Sequence, residues 1–193
     1  KLNAEGRVPG CVLSLSIFVG EHIDANKKAR LEAEIGSDGA ITIATAPRPL
    51  QSLMNFIKGT SAVSLRQSND DSALVGYHSL AQELYNIPNL SDIFVATSSG
   101  TTAQAIAEYF SNIKKSIAVH IVQTTETAPM ASDFDTDNTT KESSVADAIV
   151  DRVAHRRTAT EKILTETKGG GWIASNADII TAQNLLKEKA AIE

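Results

Sequence analysis

One stretch, DIFVATSSGTTAQAIAEYF at residues 92–110, constrains this chain more than any other. Ile93, Phe94 and Val95 form a short apolar run suited to a buried strand. Ser98, Ser99, Gly100, Thr101 and Thr102 then break the pattern, and Ala105, Ile106, Tyr109 and Phe110 recur at helical spacing. A strand feeding a helix through such a turn leaves the first helical N–H groups pointing out of the helix start. The hydroxyls add hydrogen-bonding groups, and Gly100 lets the backbone approach a ligand without an intervening side chain. The arrangement suits an anion, a phosphate above all. A plain capped turn is the alternative, because Ser and Thr are favoured helix N-caps whether or not anything binds there.

Composition narrows the surroundings of that turn. The chain has 193 residues, enough for one domain or two small lobes, and its hydrophobic fraction of 42% supports a packed core. A net charge of −5 disfavours non-specific nucleic-acid binding. No segment has the length and apolarity of a membrane span, and no secretory signal is visible. Cys11 is the only cysteine, which excludes a disulfide framework and favours a reducing, cytoplasmic setting. It opens an apolar strand and reads as a small buried hydrophobe rather than a nucleophile. His22, His78, His120 and His155 are scattered, so no metal site is expected. The chain begins at Lys1 and stops at Glu193 directly after a helical pattern, and is read as a fragment.

Taken in order, residues 11–19 (CVLSLSIFV) read as a strand. A helix capped by Asp24 over Ala25–Ile35 follows, then a strand at 40–44, and a helix at 50–58 entered through Pro47 and Pro49 and ended by Gly59. Alternating β and α elements predict a parallel sheet. A third strand is expected at 62–65. One helix starting near Asp70, Asp71 or Ser72 should run through Tyr85, with Leu74, Tyr77, Leu80, Ala81 and Leu84 on its buried stripe and Gly76 packed closely against another backbone.

After the central stretch, the nearly all-apolar run at 116–122 reads as a strand in the middle of the sheet. Residues 123–143 form a long polar loop. Asp133, Asp135 and Asp137 alternate as in a calcium loop, but Asn138 and Ser144 stand where Gly and Glu are needed, so calcium is rejected. Helical patterns at 144–154 and 158–165 place Arg152, Arg156 and Arg157 on an exposed face. Gly169, Gly170 and Gly171 give a flexible turn, followed by a short strand at 172–174 and a last helix at 177–189 capped by Ser175 or Asn176.

The ordered set of segments resembles the pyridoxal-phosphate enzymes of the tryptophan-synthase-β type (fold type II), and within them the threonine synthases. Residues 94–107 look like the family's phosphate-cradling loop. Gln67, Asn69, Gly76, Tyr77 and Glu83 look like its Q-x-N, G-Y and helical Glu segment. Residues 145–150 look like the stretch after its mobile loop, and residues 171–186 like its late strand and helix.

The resemblance covers residues 11–193. It implies an α/β fold, a three-layer αβα arrangement with a mostly parallel sheet, here incomplete. Residues 1–60 would be the remainder of a smaller lobe and 61–193 the larger cofactor-binding lobe. It implies pyridoxal 5'-phosphate as cofactor, held by Ser98, Ser99, Gly100, Thr101 and Thr102. It also implies β- or γ-elimination or replacement on an amino-acid substrate, and a homodimer without nucleic acid or membrane. The family's glycine pair is reduced here to Gly100. Its Ser-x-Lys-Asp motif with the Schiff-base lysine has no counterpart; Lys27, Lys28 and Lys58 read as surface residues. No catalytic residue is therefore assigned, and the chain alone should be inactive. Two alternatives remain open at the level of sequence. Sugar-phosphate isomerase domains share the Ser-x-Ser-Gly-x-Thr signature near residues 97–102, and a ligand-sensing α/β domain would need no lysine.

Overall fold

The computed structural model describes residues 13–137, 141–146, 148, 149 and 151–190. Cys11, Asn138 and Val150, named above, lie outside the described residues. The chain divides into two compact units, residues 1–64 and 65–193.

In the first unit, β1 (Leu15–Gly20) and β2 (Ile41–Ala46) pair in parallel, with Ile17 opposite Ile43 and Val19 opposite Thr45. The crossover is α1 (Ala25–Ile35). The Asp24 carboxylate caps it by accepting the Asn26 and Lys27 amides, both at 3.0 Å. Helix α2 (Pro49–Lys58) starts with Pro49, whose missing N–H costs nothing in the first turn. Phe56 on α2 packs against Phe18 on β1, ring centroids 5.6 Å apart. The apolar residues of α1 are not buried, and among the described residues Val19 and Ala46 form the buried part of this unit.

The second unit holds the larger core. Its sheet has the order β3-β4-β5, all parallel, from β3 (Asp92–Ala96), β4 (Ala118–Thr124) and β5 (Gly171–Ala174). The apolar strand is central, as its composition predicts, with Val119 and Ile121 fully buried on one face. Helix α5 (Thr101–Asn112) covers that face through Ala103, Ile106, Ala107 and Phe110. Helix α6 (Arg157–Glu166) adds Ile163 and Leu164. On the opposite face Phe94, His120 and Trp172 stand side by side on the three strands, and Phe94 and Trp172 are exposed. Helix α7 (Asn176–Ala190) ends the described chain. Ser175 caps it reciprocally with Asp178: the Ser175 amide and hydroxyl both donate to the Asp178 carboxylate, and the Asp178 amide donates back to the hydroxyl.

Six expectations are corrected. Residues 62–65 form no strand; Val63 and Leu65 are 80% and 70% exposed, so this short apolar run has no sheet to join. The helix expected through Tyr85 is broken into α3 (Ser72–Val75) and α4 (His78–Tyr85) at Gly76 and Tyr77. Gly76 packs against no distant backbone, and a Cβ there would meet only the Ala73 carbonyl. No helix forms among the described residues of 144–154, whose amides bond to side chains instead: Ser144 to Glu126 and Val145 to Asn176.

The triglycine is a packing device rather than a hinge. A Cβ on Gly169 would lie 1.7 Å from the Val119 carbonyl oxygen, and one on Gly171 would lie 2.7 Å from the Ala131 Cα. Arg156, finally, is not on an exposed face. It is 5% exposed, while Arg152 and Arg157 keep 80% and 46% of their side-chain surface.

Candidate functional site

The turn between β3 and α5 sits at the carboxyl end of the parallel sheet, where open α/β sheets form their crevices. Thr97 extends the ladder by donating its amide to the Val122 carbonyl at 2.8 Å. The chain then turns through Ser98, Ser99 and Gly100. Gly100 occupies the left-handed region at φ +88°, and its carbonyl accepts the Gln104 amide, the first hydrogen bond of α5. Among the described residues, no protein acceptor takes the amides of Ser99, Gly100, Thr101, Thr102 or Ala103, and no side chain caps the helix. Five donors are thus left without a protein acceptor at the positive end of a twelve-residue helix, four of them on residues that line the cavity described next.

Beside them is a cavity of about 270 Å³ lined by residues 96–102 together with Ala148 and Ile149. All five sequence-predicted residues, Ser98, Ser99, Gly100, Thr101 and Thr102, are brought together there. None of the lining residues is ionisable, so any attraction for an anion comes from the amides and the helix dipole.

The hydroxyls play different parts. Ser98 Oγ accepts the Asp151 amide at 3.1 Å, which ties the segment after Ile149 to the turn. Thr101 Oγ1 donates to the Gln67 carbonyl at 3.3 Å. Its single proton is thereby committed, so in the 3.0 Å contact between Ser99 Oγ and Thr101 Oγ1 the donor is Ser99. The Ser99 oxygen consequently offers lone pairs to its surroundings, and its main-chain N–H remains as its donor. Thr102 is half-buried and its hydroxyl bonds to no described residue.

Gly100 is required for a reason the sequence does not display. A Cβ there would not project over the cavity. It would lie 2.8 Å from Thr160 Oγ1 and 3.2 Å from Met130 Sδ, on the core side of the turn. Met130 is in turn held by Gln123, a fully buried side chain whose carbonyl oxygen accepts the Met130 and Ala131 amides at 2.9 Å each. The Gln123 amide group donates to the Thr97 carbonyl. The floor of the turn is thus fixed from β4 as well as from β3.

Two polar residues that sequence reasoning missed stand behind the site. Gln123 reads as the first residue of the polar loop expected at 123–143, but β4 runs on to Thr124, and only the contact with Thr97 reveals its work. Arg156 enters a cage of oxygens: Gln67 O at 2.7 and 3.2 Å, Asp70 O at 2.8 Å, Asp71 Oδ1 at 2.7 Å and Gln104 Oε1 at 3.1 Å. The Asp70 carboxyl beside this cage is held below the usual carboxylate range, chiefly by the Ser72 hydroxyl and amide.

The turn fits the phosphate end of a pyridoxal phosphate: it has orphaned amides, a concave face and no competing carboxylate. No lysine lines the cavity, so the chemistry of the aldehyde end finds no amine among these residues.

A family model described as "Pyridoxal-phosphate dependent enzyme" matches residues 17–193. Among solved structures, maize serine racemase matches with a TM-score of 0.71 at 17% identity, over 93% of this chain and 54% of that one. A pyridoxal 5'-phosphate-dependent aspartate racemase matches at 0.70 and 18%, over 93% and 55%. The O-acetylserine dependent cystathionine β-synthase from Helicobacter pylori matches at 0.66 and 15%, over 92% and 56%. At such identities the likeness is one of fold, and it bears out the α/β class with parallel sheets read from the sequence. The chain spans about half the length of these proteins. A sequence search of the curated proteins finds no match. On the match over residues 17–193, the chain belongs to the family of pyridoxal-phosphate dependent enzymes.

Proposed function

We propose that residues 98–102 hold the phosphate of pyridoxal 5'-phosphate in an enzyme that acts on an amino acid by β- or γ-elimination or replacement, on the threonine-synthase pattern. The observation that carries the reading is the set of four amides without a protein acceptor, from Ser99 to Thr102, on residues that line the cavity. Hydrogen bonds to a charged group contribute about 1.5–3 kcal/mol each. The coenzyme, when bound, supplies an electron sink next to the substrate's α-carbon.

The part played by this chain's own residues is binding and orientation. The amides of Ser99–Thr102 receive phosphate oxygens, the Thr102 hydroxyl adds one further donor, and Ala148 and Ile149 wall the cavity with apolar surface. Family membership favours this reading over a sugar-phosphate isomerase. The homodimer implied by the resemblance and the cytoplasmic setting read from the single cysteine belong to the same proposal.

The test uses pyridoxine 5'-phosphate, which has the phosphate but no aldehyde to react with surface lysines. The cofactor-free protein should bind it at least roughly a hundredfold more tightly than pyridoxine. Thr102→Asp should abolish that difference while the protein stays folded, because a carboxylate suits the first turn of a helix yet repels phosphate. Equal affinity for the two ligands in the unmodified protein would remove the assignment.

The absence of an ionisable side chain from the cavity lining favours a second reading, a ligand sensor without the lysine. Borohydride reduction of the pyridoxal 5'-phosphate complex, followed by peptide mapping, separates the two. One specifically labelled pyridoxyl-lysine marks an enzyme and overturns the sensor reading.

A further inference from the structure

The guanidinium of Arg156 is among the most completely occupied polar groups of the second unit. Its side chain is 4% exposed, and its five N–H donors meet five contacts at 2.7–3.2 Å. Only one of these contacts is to a charge, the 84% exposed carboxylate of Asp71. The remainder are neutral oxygens, and two donors converge on the same one, the carbonyl of Gln67. Burying a cation among neutral acceptors is unfavourable unless every donor is used, so the cage is rigid or it does not form. That rigidity is transmitted to two points of the phosphate turn. The Gln67 carbonyl also accepts the Thr101 hydroxyl. The Gln104 side chain, one helical turn after Gly100, is held between Arg156 and Glu108.

We infer that Arg156 is a positioning residue for the turn at residues 98–102. By fixing the Gln67 carbonyl it orients the Thr101 hydroxyl and, through it, the Ser99 hydroxyl, and so sets the direction of the amides that face the cavity. The inference rests on the phosphate-binding reading given above. It differs from an electrostatic role, in which the positive charge of Arg156 would act on the anion from a distance. A lysine keeps the charge but has no planar fork to grip one carbonyl with two donors. A positioning role therefore predicts that Arg156→Lys fails to substitute, whereas an electrostatic role predicts that it succeeds.

The experiment is a double-mutant cycle on the cofactor-free protein, titrated with pyridoxine 5'-phosphate, with folding followed by circular dichroism. Arg156→Lys and Thr101→Val should each weaken binding about tenfold, the effect of misaiming one charge-assisted amide bond. The double variant should also lose about tenfold rather than a hundredfold, because both substitutions break one relay. A purely structural contribution of Arg156 would lower stability without that non-additivity.

If Arg156→Lys does not fold, Asp71→Ala takes its place. This carboxylate is exposed, so its removal opens no cavity, yet it frees one Arg156 donor. It should weaken binding about threefold in the Thr101 protein and not at all in Thr101→Val. Near-native affinity of Arg156→Lys, or losses that multiply in either cycle, would overturn the positioning role alone. Failure of the unmodified protein to prefer pyridoxine 5'-phosphate over pyridoxine would instead overturn the phosphate site, and the positioning role with it.

Discussion

Gly100→Ala isolates the physics of the turn. Two independent costs meet at this position. The backbone at φ +88° places an L-residue in the left-handed region, at about 1–2 kcal/mol. The new Cβ also lies 2.8 Å from Thr160 Oγ1 and 3.2 Å from Met130 Sδ, and overpacking of this kind costs about 1–3 kcal/mol. Met130 is unbranched and can give a few tenths of an ångström, but its backbone is anchored by Gln123. The expected destabilisation is about 2–5 kcal/mol.

The steric share is removable because of a particular feature of Thr160. Its hydroxyl is fully buried and has no hydrogen-bond partner among the described residues. Thr160→Ala therefore breaks no hydrogen bond in this region and should itself cost about 1 kcal/mol or less. In its presence Gly100→Ala should lose the Thr160 clash and cost the backbone share of about 1–2 kcal/mol plus what the 3.2 Å Met130 contact adds. Urea unfolding of the four proteins, with m-values required to agree, measures both quantities. Strict additivity of the two substitutions would show that Gly100 does not rest on Thr160. A cost below about 1 kcal/mol for Gly100→Ala would show that the left-handed turn is not maintained.

Three further outcomes follow from the packing and the caps. Gln123→Leu leaves the Met130 and Ala131 amides without their acceptor and the Thr97 carbonyl without this donor, and should destabilise by roughly 3 kcal/mol or more in urea titrations. Gly169→Ala should give no stably folded second unit by circular dichroism, because its Cβ has 1.7 Å to a main-chain oxygen on the central strand. The Asp178 carboxyl is held below its ordinary range by the Ser175 hydroxyl and amide. A depressed folded-state value means that its contribution is complete above the unfolded value of about 3.9 and is lost as pH falls through the folded one. The protection of α7 amides, taken relative to the intrinsic exchange rate at each pH, should therefore fall on acidification below about pH 4, and Ser175→Ala should already show the reduced protection at neutral pH.

How much of this was legible in the residues depends on whether the responsible interaction is local. Helix α1 has the bounds its pattern implies because Asp24, two residues before Asn26, caps it from within the segment. The central place of β4 follows from apolar side chains on both faces. Residues 144–154 show the converse. Their helical periodicity is real, yet Glu126 and Asn176 capture the amides of Ser144 and Val145, and acceptors 18 and 31 residues away leave no trace in a local pattern. The apolar run at 62–65 likewise has strand composition but no neighbour to pair with.

The same division runs through the site. Order and residue type were sufficient to place a hydroxyl-rich turn between β3 and α5, because a strand, such a turn and a helix dictate local backbone directions. Tertiary structure alone assigned the roles within that turn. It set Gly100 against Thr160 rather than over the cavity, turned the Ser99 hydroxyl toward Thr101, and drew Arg156 inward from the face its helical spacing suggested. The first and last are contacts between segments tens of residues apart, and the second follows from the Thr101 bond to Gln67, 34 residues away. Side-chain polarity announces that a group needs a partner, whereas the folded chain decides which partner it finds.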